Sequence, residues 1–251
     1  MTRWLAVILM MAFGAAIETA HAAEVKLLTV GAMKGAIQAT AADFQKANEV
    51  TMSIENETAG ALTKRIQDGA AFDVAVLPPA ALTELANAGK VTEASPLARV
   101  GIGVMVKAGA PKPDIGTLDA FKQALLNAKS IAYIDPASGG SSGIYLARLF
   151  ERLGIADALK PKTKLKQGGL VADLIVSGEA ELGLQQMSEV VTASGVTLVG
   201  PLPAEVQNYT IYAGAVGTKA RAPAPGAALI AWLKRPAMAP ILQARGILPP
   251  S

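Results

Sequence analysis

The fold is decided by residues 135–145, which read Asp-Pro-Ala-Ser-Gly-Gly-Ser-Ser-Gly-Ile-Tyr. The apolar run 131–134 before this stretch is β-like, and residues 142–153 after it carry apolar residues at helical spacing. Glycines and serines between a strand and a helix are typical of a loop that opens the helix. In open α/β sheets, ligands bind at loops of this kind, at the carboxyl ends of strands. The stretch therefore predicts an α/β fold and one part of its ligand site.

The same alternation of strand and helix continues in both directions along the chain. We predict strands at 25–30, 50–54, 72–77, 98–106, 131–134 and 182–184, and a β-like run at 206–216. We predict helices around 37–44, 62–69, from Pro78 onward, and at 117–127, 142–153, 172–176, 227–233 and 238–244. Units of this size imply a parallel sheet covered by helices on both faces.

Two crossings are predicted to divide the chain into two lobes. Regular structure should pause in the Pro- and Gly-rich segment 109–116, and the second crossing falls in the run 206–216. The expected organisation is a signal peptide at 1–22, a first lobe of 23–104 plus 208–251, and a second lobe of 105–207. Two strands would join the lobes, with a ligand cleft between them.

The first residues have the layout of a signal peptide. Arg3 precedes an apolar run from 4 to 17, and Ala20 and Ala22 form an A-x-A site around His21. We therefore expect cleavage before Ala23 and a periplasmic, monomeric mature chain that does not insert into the membrane. An uncleaved membrane anchor is the alternative, but the apolar run is short for a span.

Composition argues against most catalytic classes. The sequence has no cysteine, and its only histidine lies in the predicted leader, so thiolate or imidazole chemistry is excluded from the mature chain. We therefore expect that the chain is not an enzyme and that it has no cofactor and no metal site. The net charge of +3, the 4% aromatic content and the scattered basic residues do not predict a nucleic-acid surface, and support only a weak preference for anions.

Four loops carry the small and hydrogen-bonding residues expected of an anion site. They are residues 31–35, 57–60, 135–143 and 185–188. The start of a helix presents unpaired N–H groups and a partial positive charge, so several starts facing one cleft can hold an anion without a cationic side chain. The predicted ligand is a small anion.

Three segments resemble the periplasmic molybdate-binding proteins of ABC importers. Residues 135–145 are similar to that family's D-P-x-x-x-x-x-G-x-Y segment, residues 62–69 with 72–74 to its L-x-x-Q-I-x-x-G and D-[VIL] pair, and residues 178–183 to its (N/G)-E-A-x-L-G. The resemblance implies a two-lobed type II periplasmic binding protein fold with a hinged cleft. It also implies a molybdate- or tungstate-like ligand and an inner-membrane ABC permease that docks transiently.

The resemblance also implies where the ligand contacts lie. The family's first-loop serine falls at Met33 and its tyrosine at Gln186, while the second-loop hydroxyl is retained as Thr58. In addition, Lys34 and the serines of the third loop would suit a larger or carboxylated ligand, since they supply a charge partner and hydroxyls. The candidate ligand-binding residues are Met33, Lys34, Thr58, Ala59, Ser138, Ser141, Ser142, Gly169 and Gln186.

The sequence is also compatible with other interpretations. The ligand could be an organic carboxylate, and the protein could be a periplasmic sensor or scavenger without an importer. A serine hydrolase using Ser141 or Ser142 is disfavoured, because no histidine remains to activate the hydroxyl. Lys34 could be an ordinary solvated lysine, Thr58 only a helix cap and Met33 a core residue.

Overall fold

A computed structural model describes residues 22–250, in which the chain forms ten strands and ten α-helices. The predicted signal peptide lies outside the described residues, apart from Ala22. The strands are β1 (Glu24–Val30), β2 (Thr51–Glu57), β3 (Val74–Leu77), β4 (Ser95–Lys107), β5 (Ile131–Ile134), β6 (Thr163–Lys166), β7 (Leu182–Gln186), β8 (Val196–Pro201), β9 (Tyr209–Val216) and β10 (Ile247–Leu248).

The helices fill most of the connections between these strands. They are α1 (Gly31–Asn48), α2 (Ala59–Gln67), α3 (Pro79–Asn87), α4 (Leu118–Asn127), α5 (Ser141–Arg152), α6 (Ala156–Leu159), α7 (Ala172–Val176), α8 (Met187–Val190), α9 (Pro223–Leu233) and α10 (Ala239–Gln243). Within the part of the chain that the structure describes, no helix is both long and apolar enough to span a bilayer.

The sheet is mixed rather than parallel throughout, so the prediction of a parallel sheet was wrong for its centre. The strand order is β2-β1-β3-β9-β4-β7-β5-β6, and β8 and β10 also pair with β4. The outer strands pair in parallel, as β2-β1-β3 and β6-β5-β7. The central strands β4 and β9 pair antiparallel with their neighbours, because they run between the two lobes in opposite directions.

The long strand β4 belongs to both lobes. Its first part, Ser95 to Gly101, pairs with β9, and its second part, from Ile102 onward, pairs with β7 and β8. Gln207, in the second connection between the lobes, bonds to β4 at the residue where the strand changes partners. Its Oε1 accepts from Ile102 N at 2.9 Å, and its Nε2 donates to Ile102 O at 2.9 Å. The lobe boundaries predicted from the sequence fall close to this change of sheet, and as residue limits they stay a prediction.

Each lobe has its own apolar core. In the first lobe, Phe44 meets Trp232 edge to face at 5.5 Å, and Trp232 Nε1 donates to Thr40 Oγ1 at 2.7 Å. In the second lobe, Tyr133 and Phe150 make a similar pair at 5.6 Å. Aromatic pairs of this geometry stabilise a core beyond the area they bury. The second lobe contains one further apolar cluster, and because the clusters of the two lobes are separate, each lobe can act as a rigid body around a cleft.

Candidate functional site

The four loops predicted from the sequence meet in a cavity between the lobes. This interlobe cavity has a volume of about 50 Å³. Its walls come from both lobes and from the central strand β9. The lining residues are Val30, Gly31, Ala32, Asn56, Glu57, Thr58, Ala59, Ile134, Gly140, Ser141, Ser142, Gly169, Gln185, Gln186, Glu189 and Tyr212.

The starts of three helices face this cavity. Helices α1, α2 and α5 begin at Gly31, Ala59 and Ser141, and all three residues are part of the lining. The N-cap residues Val30 and Gly140 provide no side-chain cap, so the first N–H groups of α1 and α5 are available to a ligand. The described lining residues include no Lys, Arg or His. Backbone N–H groups and neutral side chains are therefore the donors of this site.

Two glycines bring the lobes together at one end of the cavity. Gly60 N donates to Gly139 O at 3.2 Å, and the Thr58 hydroxyl donates to Ser138 O. A Cβ at Gly60 would lie 2.8 Å from Gly139 Cα, and Gly139 has a φ of +75°, which favours glycine. Side chains at these positions would separate the two backbones. The structure is therefore the closed form of the cleft.

Helix α8 makes a second contact between the lobes. Ser188 is buried, and its Oγ donates to Ala32 O at 2.7 Å, at the start of α1. The next residue, Glu189, directs its carboxylate against Gly31, where any side chain would collide with Glu189 Oε1. Glycine at position 31 thus makes room for an acidic group at the start of α1.

Burial raises the pKa of Glu189 to about 8, and the neighbouring Gln185 opposes this shift. The carboxyl is therefore mainly protonated at neutral pH, and only a minor fraction carries a negative charge. In the protonated form it can donate a hydrogen bond, and in the ionised form it can accept a proton. The cavity consequently contains an acid–base group, Glu189, besides its hydrogen-bond donors.

Gln186 and Tyr212 join the cavity to the strands that connect the lobes. With its amide nitrogen facing the carbonyls, Gln186 donates to Val100 O at 3.1 Å and Gly101 O at 3.2 Å. Its oxygen then accepts from Thr210 Oγ1 at 3.0 Å and from the Tyr212 hydroxyl at 3.2 Å. Burial, and secondarily the nearby Glu189, raise the pKa of Tyr212, so its hydroxyl stays neutral. The Gln186 amide thus has partners within the protein.

The structure brings six of the nine candidate residues to the cavity. They are Thr58, Ala59, Ser141, Ser142, Gly169 and Gln186. Thr58 is also the N-cap of α2, since its Oγ1 accepts from Ala61 N at 3.2 Å. Contact between these six residues and a ligand stays a prediction.

The other three candidates, Met33, Lys34 and Ser138, are not part of the cavity lining. Met33 is 2% exposed and packs in the core of the first lobe, because its place in α1 turns the side chain toward the sheet. Lys34 follows it on α1, outside the cavity. Ser138 Oγ donates to Asp135 O at 2.7 Å and stabilises the loop instead.

Sequence reasoning missed the groups that give the cavity its acid–base character. Glu189 directly follows the loop 185–188, so the signal was an acidic residue one position beyond the predicted segment. Gln185 was named within that loop but not as a site residue. Tyr212 carried no signal, since it lies in a strand about twenty residues further along the chain and reaches the cavity only through sheet pairing.

A larger groove of about 850 Å³ lies on the second lobe, between β4, the segment 110–114 and α4. It contains none of the four loops, and α4 and the proline-rich segment supply much of its wall. Size alone does not make it a ligand site, and none of the helix starts at residues 31, 59 and 141 is part of its lining. Among residues 22–250, no group of three His, Cys, Asp or Glu side chains is arranged to hold a metal ion.

These features define a two-lobed type II periplasmic binding protein fold, as the sequence predicted. Residues 25–248 match the family model for the bacterial extracellular solute-binding protein, and the chain belongs to this family. The periplasmic molybdate-binding protein of Azotobacter vinelandii superimposes with a TM-score of 0.76 at 20% identity, covering 90% of this chain and 100% of that one. The sulfate-binding protein SubI of Mycobacterium tuberculosis gives 0.75 at 17% identity, covering 90% and 87%.

A curated relative is more similar in sequence than these structural neighbours. The aconitate isomerase of a Pseudomonas species is 34% identical over 231 residues, which cover 89% of this chain and 87% of that protein. The two solved neighbours are named as binding proteins, whereas this relative is named as an enzyme. The expectation that the chain is not an enzyme therefore stays a prediction.

Proposed function

We propose that this protein is a periplasmic solute-binding protein that holds a small organic carboxylate in the interlobe cavity. The observation that carries the proposal is the Glu189 carboxyl, which lies among donors supplied by three helix starts. A site with both donors and a protonated carboxyl is suited to a carboxylic acid, which offers acceptor oxygens and can share a proton. The signal-peptide layout of the first residues supports the periplasmic location.

A tetrahedral oxyanion fits this cavity less well. At the two positions where the molybdate-binding family is expected to supply hydroxyl groups, Met33 lies in the core, and the Gln186 amide bonds the backbone of β4. These differences disfavour molybdate, although the structural neighbours bind oxyanions of that kind according to their names.

The 34% identical relative supports a carboxylate ligand, since aconitate is an unsaturated tricarboxylic acid. The cavity of about 50 Å³ is small beside the roughly 300–1,000 Å³ of typical ligand pockets. A ligand with several carboxylates would therefore widen the cavity by movement of side chains such as Glu189, while the backbone contact between Gly60 and Gly139 is kept. Binding would then select the closed form through contacts that both lobes supply.

The proposed test is titration of the purified mature chain, stripped of ligand, with aconitate, citrate, succinate, molybdate, tungstate and sulfate. Thermal stability should rise with a carboxylate, because a ligand that binds the native state stabilises it by mass action. Ser141→Ala should reduce this shift, whereas Ser194→Ala, at an exposed position outside the lining, should not. A shift with molybdate or tungstate alone would replace the carboxylate by an oxyanion.

Transport is the role that the family supports best for such a binding protein. In this role the closed lobes would dock transiently on an inner-membrane ABC permease. A sensor or scavenger would bind the same ligand and leave uptake unchanged. Deleting the gene and measuring uptake of the labelled ligand separates these two roles, since only a transport component is required for uptake.

A further inference from the structure

The carboxyl group of Glu189 is ionisable, which is a property that ligand binding alone does not require. Glu189 lies in the lining, beside the start of α1, where it limits the space for negative charge. Glutamine or serine at this position would supply a donor without any negative charge. The position of the carboxyl therefore points to proton transfer, for which an ionisable group is required.

Near neutral pH, Glu189 is the main titrating group of the cavity. Gly31 on α1 and Gln185 on β7 are uncharged, and Tyr212 on β9 is kept neutral by burial. Glu57, at the end of β2, forms an ion pair with Arg65 at the surface. A general base works best when its pKa lies near the working pH, and burial brings the pKa of Glu189 into that range.

We propose that Glu189 transfers a proton between two carbons of a bound unsaturated carboxylic acid, so that the protein is an isomerase as well as a binding protein. This inference rests on the proposed carboxylate ligand and opposes the expectation from the sequence that the chain is not an enzyme. That expectation considered only histidine, cysteine and serine chemistry, and a carboxyl in a confined cavity is another acid–base group.

The step is balanced without a cofactor or a co-reactant. The Glu189 carboxylate accepts the proton from the saturated carbon next to the double bond, and the electron pair of that C–H bond spreads over three carbons and the conjugated carboxylate. The Glu189 carboxylic acid then returns a proton to the far end of the three-carbon unit, where a new C–H bond forms. The double bond has moved by one position, and Glu189 is again ionised.

The cavity also has groups that can stabilise the charge of this intermediate. The N–H groups at the starts of α1 and α5 point to the site, and their N-caps leave them without side-chain partners. The lining hydroxyls of Ser141 and Ser142 are further donors. Fixed donors that face a developing negative charge lower the barrier without reorganisation during the reaction.

The experiment incubates the mature protein with cis- or trans-aconitate in D₂O and follows proton signals by NMR. The wild type should exchange the methylene protons of aconitate for deuterium and interconvert the isomers. Glu189→Gln should lower the exchange rate by about 100-fold or more, in the range typical of a lost general base. Glu205→Gln, at an exposed glutamate outside the cavity, should exchange as the wild type does.

Binding is measured in parallel by calorimetry, so that the two proposals fail separately. Glu189→Gln should still bind aconitate, and Glu189→Asp, which keeps the carboxyl but shortens its reach, should bind and exchange slowly. Binding without exchange in the wild type, or equal exchange in Glu189→Gln, overturns the isomerase inference and leaves the binding function. Absence of binding by any carboxylate overturns both.

Discussion

The two ends of the interlobe cavity close by different chemistry. At one end, the backbones of Gly60 and Gly139 meet through an N–H···O bond of 3.2 Å, with no ionisable side chain between them. At the other end, α8 supplies Ser188 and Glu189, and β9 supplies Tyr212. The comparison shows that closure and acid–base chemistry depend on separate residues. Substitutions of the glycines or of Ser188 should affect closure of the lobes alone, whereas substitution of Glu189 should also change proton binding.

The largest expected effect comes from Glu189. Its pKa is about 8 in the folded protein and near 4.5 when unfolded, so the folded state binds more protons between these pH values. The stability that this adds is fully present below pH 4.5 and is lost as the pH rises through 8. The free energy of unfolding of the wild type should therefore fall with pH by up to about 1.4 kcal/mol per unit relative to Glu189→Gln.

Urea unfolding at several pH values from 5 to 8 measures this difference. Glu205→Gln serves as the control, because that glutamate is exposed and should leave the wild-type slope unchanged. Parallel stability curves for the wild type and Glu189→Gln would show that Glu189 has an ordinary pKa, and the two ends of the cavity would then not differ in proton chemistry.

The next effect concerns the glycine end. Gly139→Ala adds a Cβ that would lie 2.5 Å from Gly60 Cα, so the closed form must open. Ligand affinity should fall by roughly 10- to 100-fold, since each factor of ten corresponds to about 1.4 kcal/mol of lost closure energy. Gly154→Ala is the matched control, because Gly154 has a similar φ of +67° but no neighbour within 4 Å.

Both glycine variants should lose about 1 kcal/mol of folding stability from the left-handed backbone, so only affinity separates them. Calorimetric titration of each variant with the same carboxylate gives this comparison. Equal affinities for Gly139→Ala and Gly154→Ala would mean that the contact between Gly60 and Gly139 does not contribute to ligand binding.

The smallest effect is expected at Ser188. Ser188→Ala removes the bond from Ser188 Oγ to Ala32 O, which is a single neutral hydrogen bond of 2.7 Å between the lobes. Such bonds contribute about 1 kcal/mol, so affinity should fall by only a few-fold. Ser177→Ala, an exposed serine within the second lobe, should leave affinity unchanged. A pH-dependent effect of Ser188→Ala would indicate that closure at α8 is coupled to Glu189 after all.

The local spacing of apolar residues was sufficient to predict most strands and helices of the fold. The predicted strands at 131–134 and 182–184 and helix at 172–176 agree with β5, β7 and α7 to within two residues, because apolar spacing marks the buried face of each element. The strands β6, β8 and the two-residue β10 were missed. Thr163–Lys166 has lysines at alternate positions and lies at an edge of the sheet, and Val196–Pro201 is only half buried. Neither segment therefore has the apolar pattern of a central strand.

The sequence by itself determined the fold class, the family and the helix starts of the candidate site, because each is marked by short motifs and by apolar spacing along the chain. Tertiary structure decided which side chains face the interlobe cavity. Met33 lies in the core because α1 turns it inward, while Glu189 and Tyr212 reach the cavity because α8 and β9 pack beside the start of α1. Contacts between distant segments depend on lobe closure and strand pairing, and no local spacing encodes them.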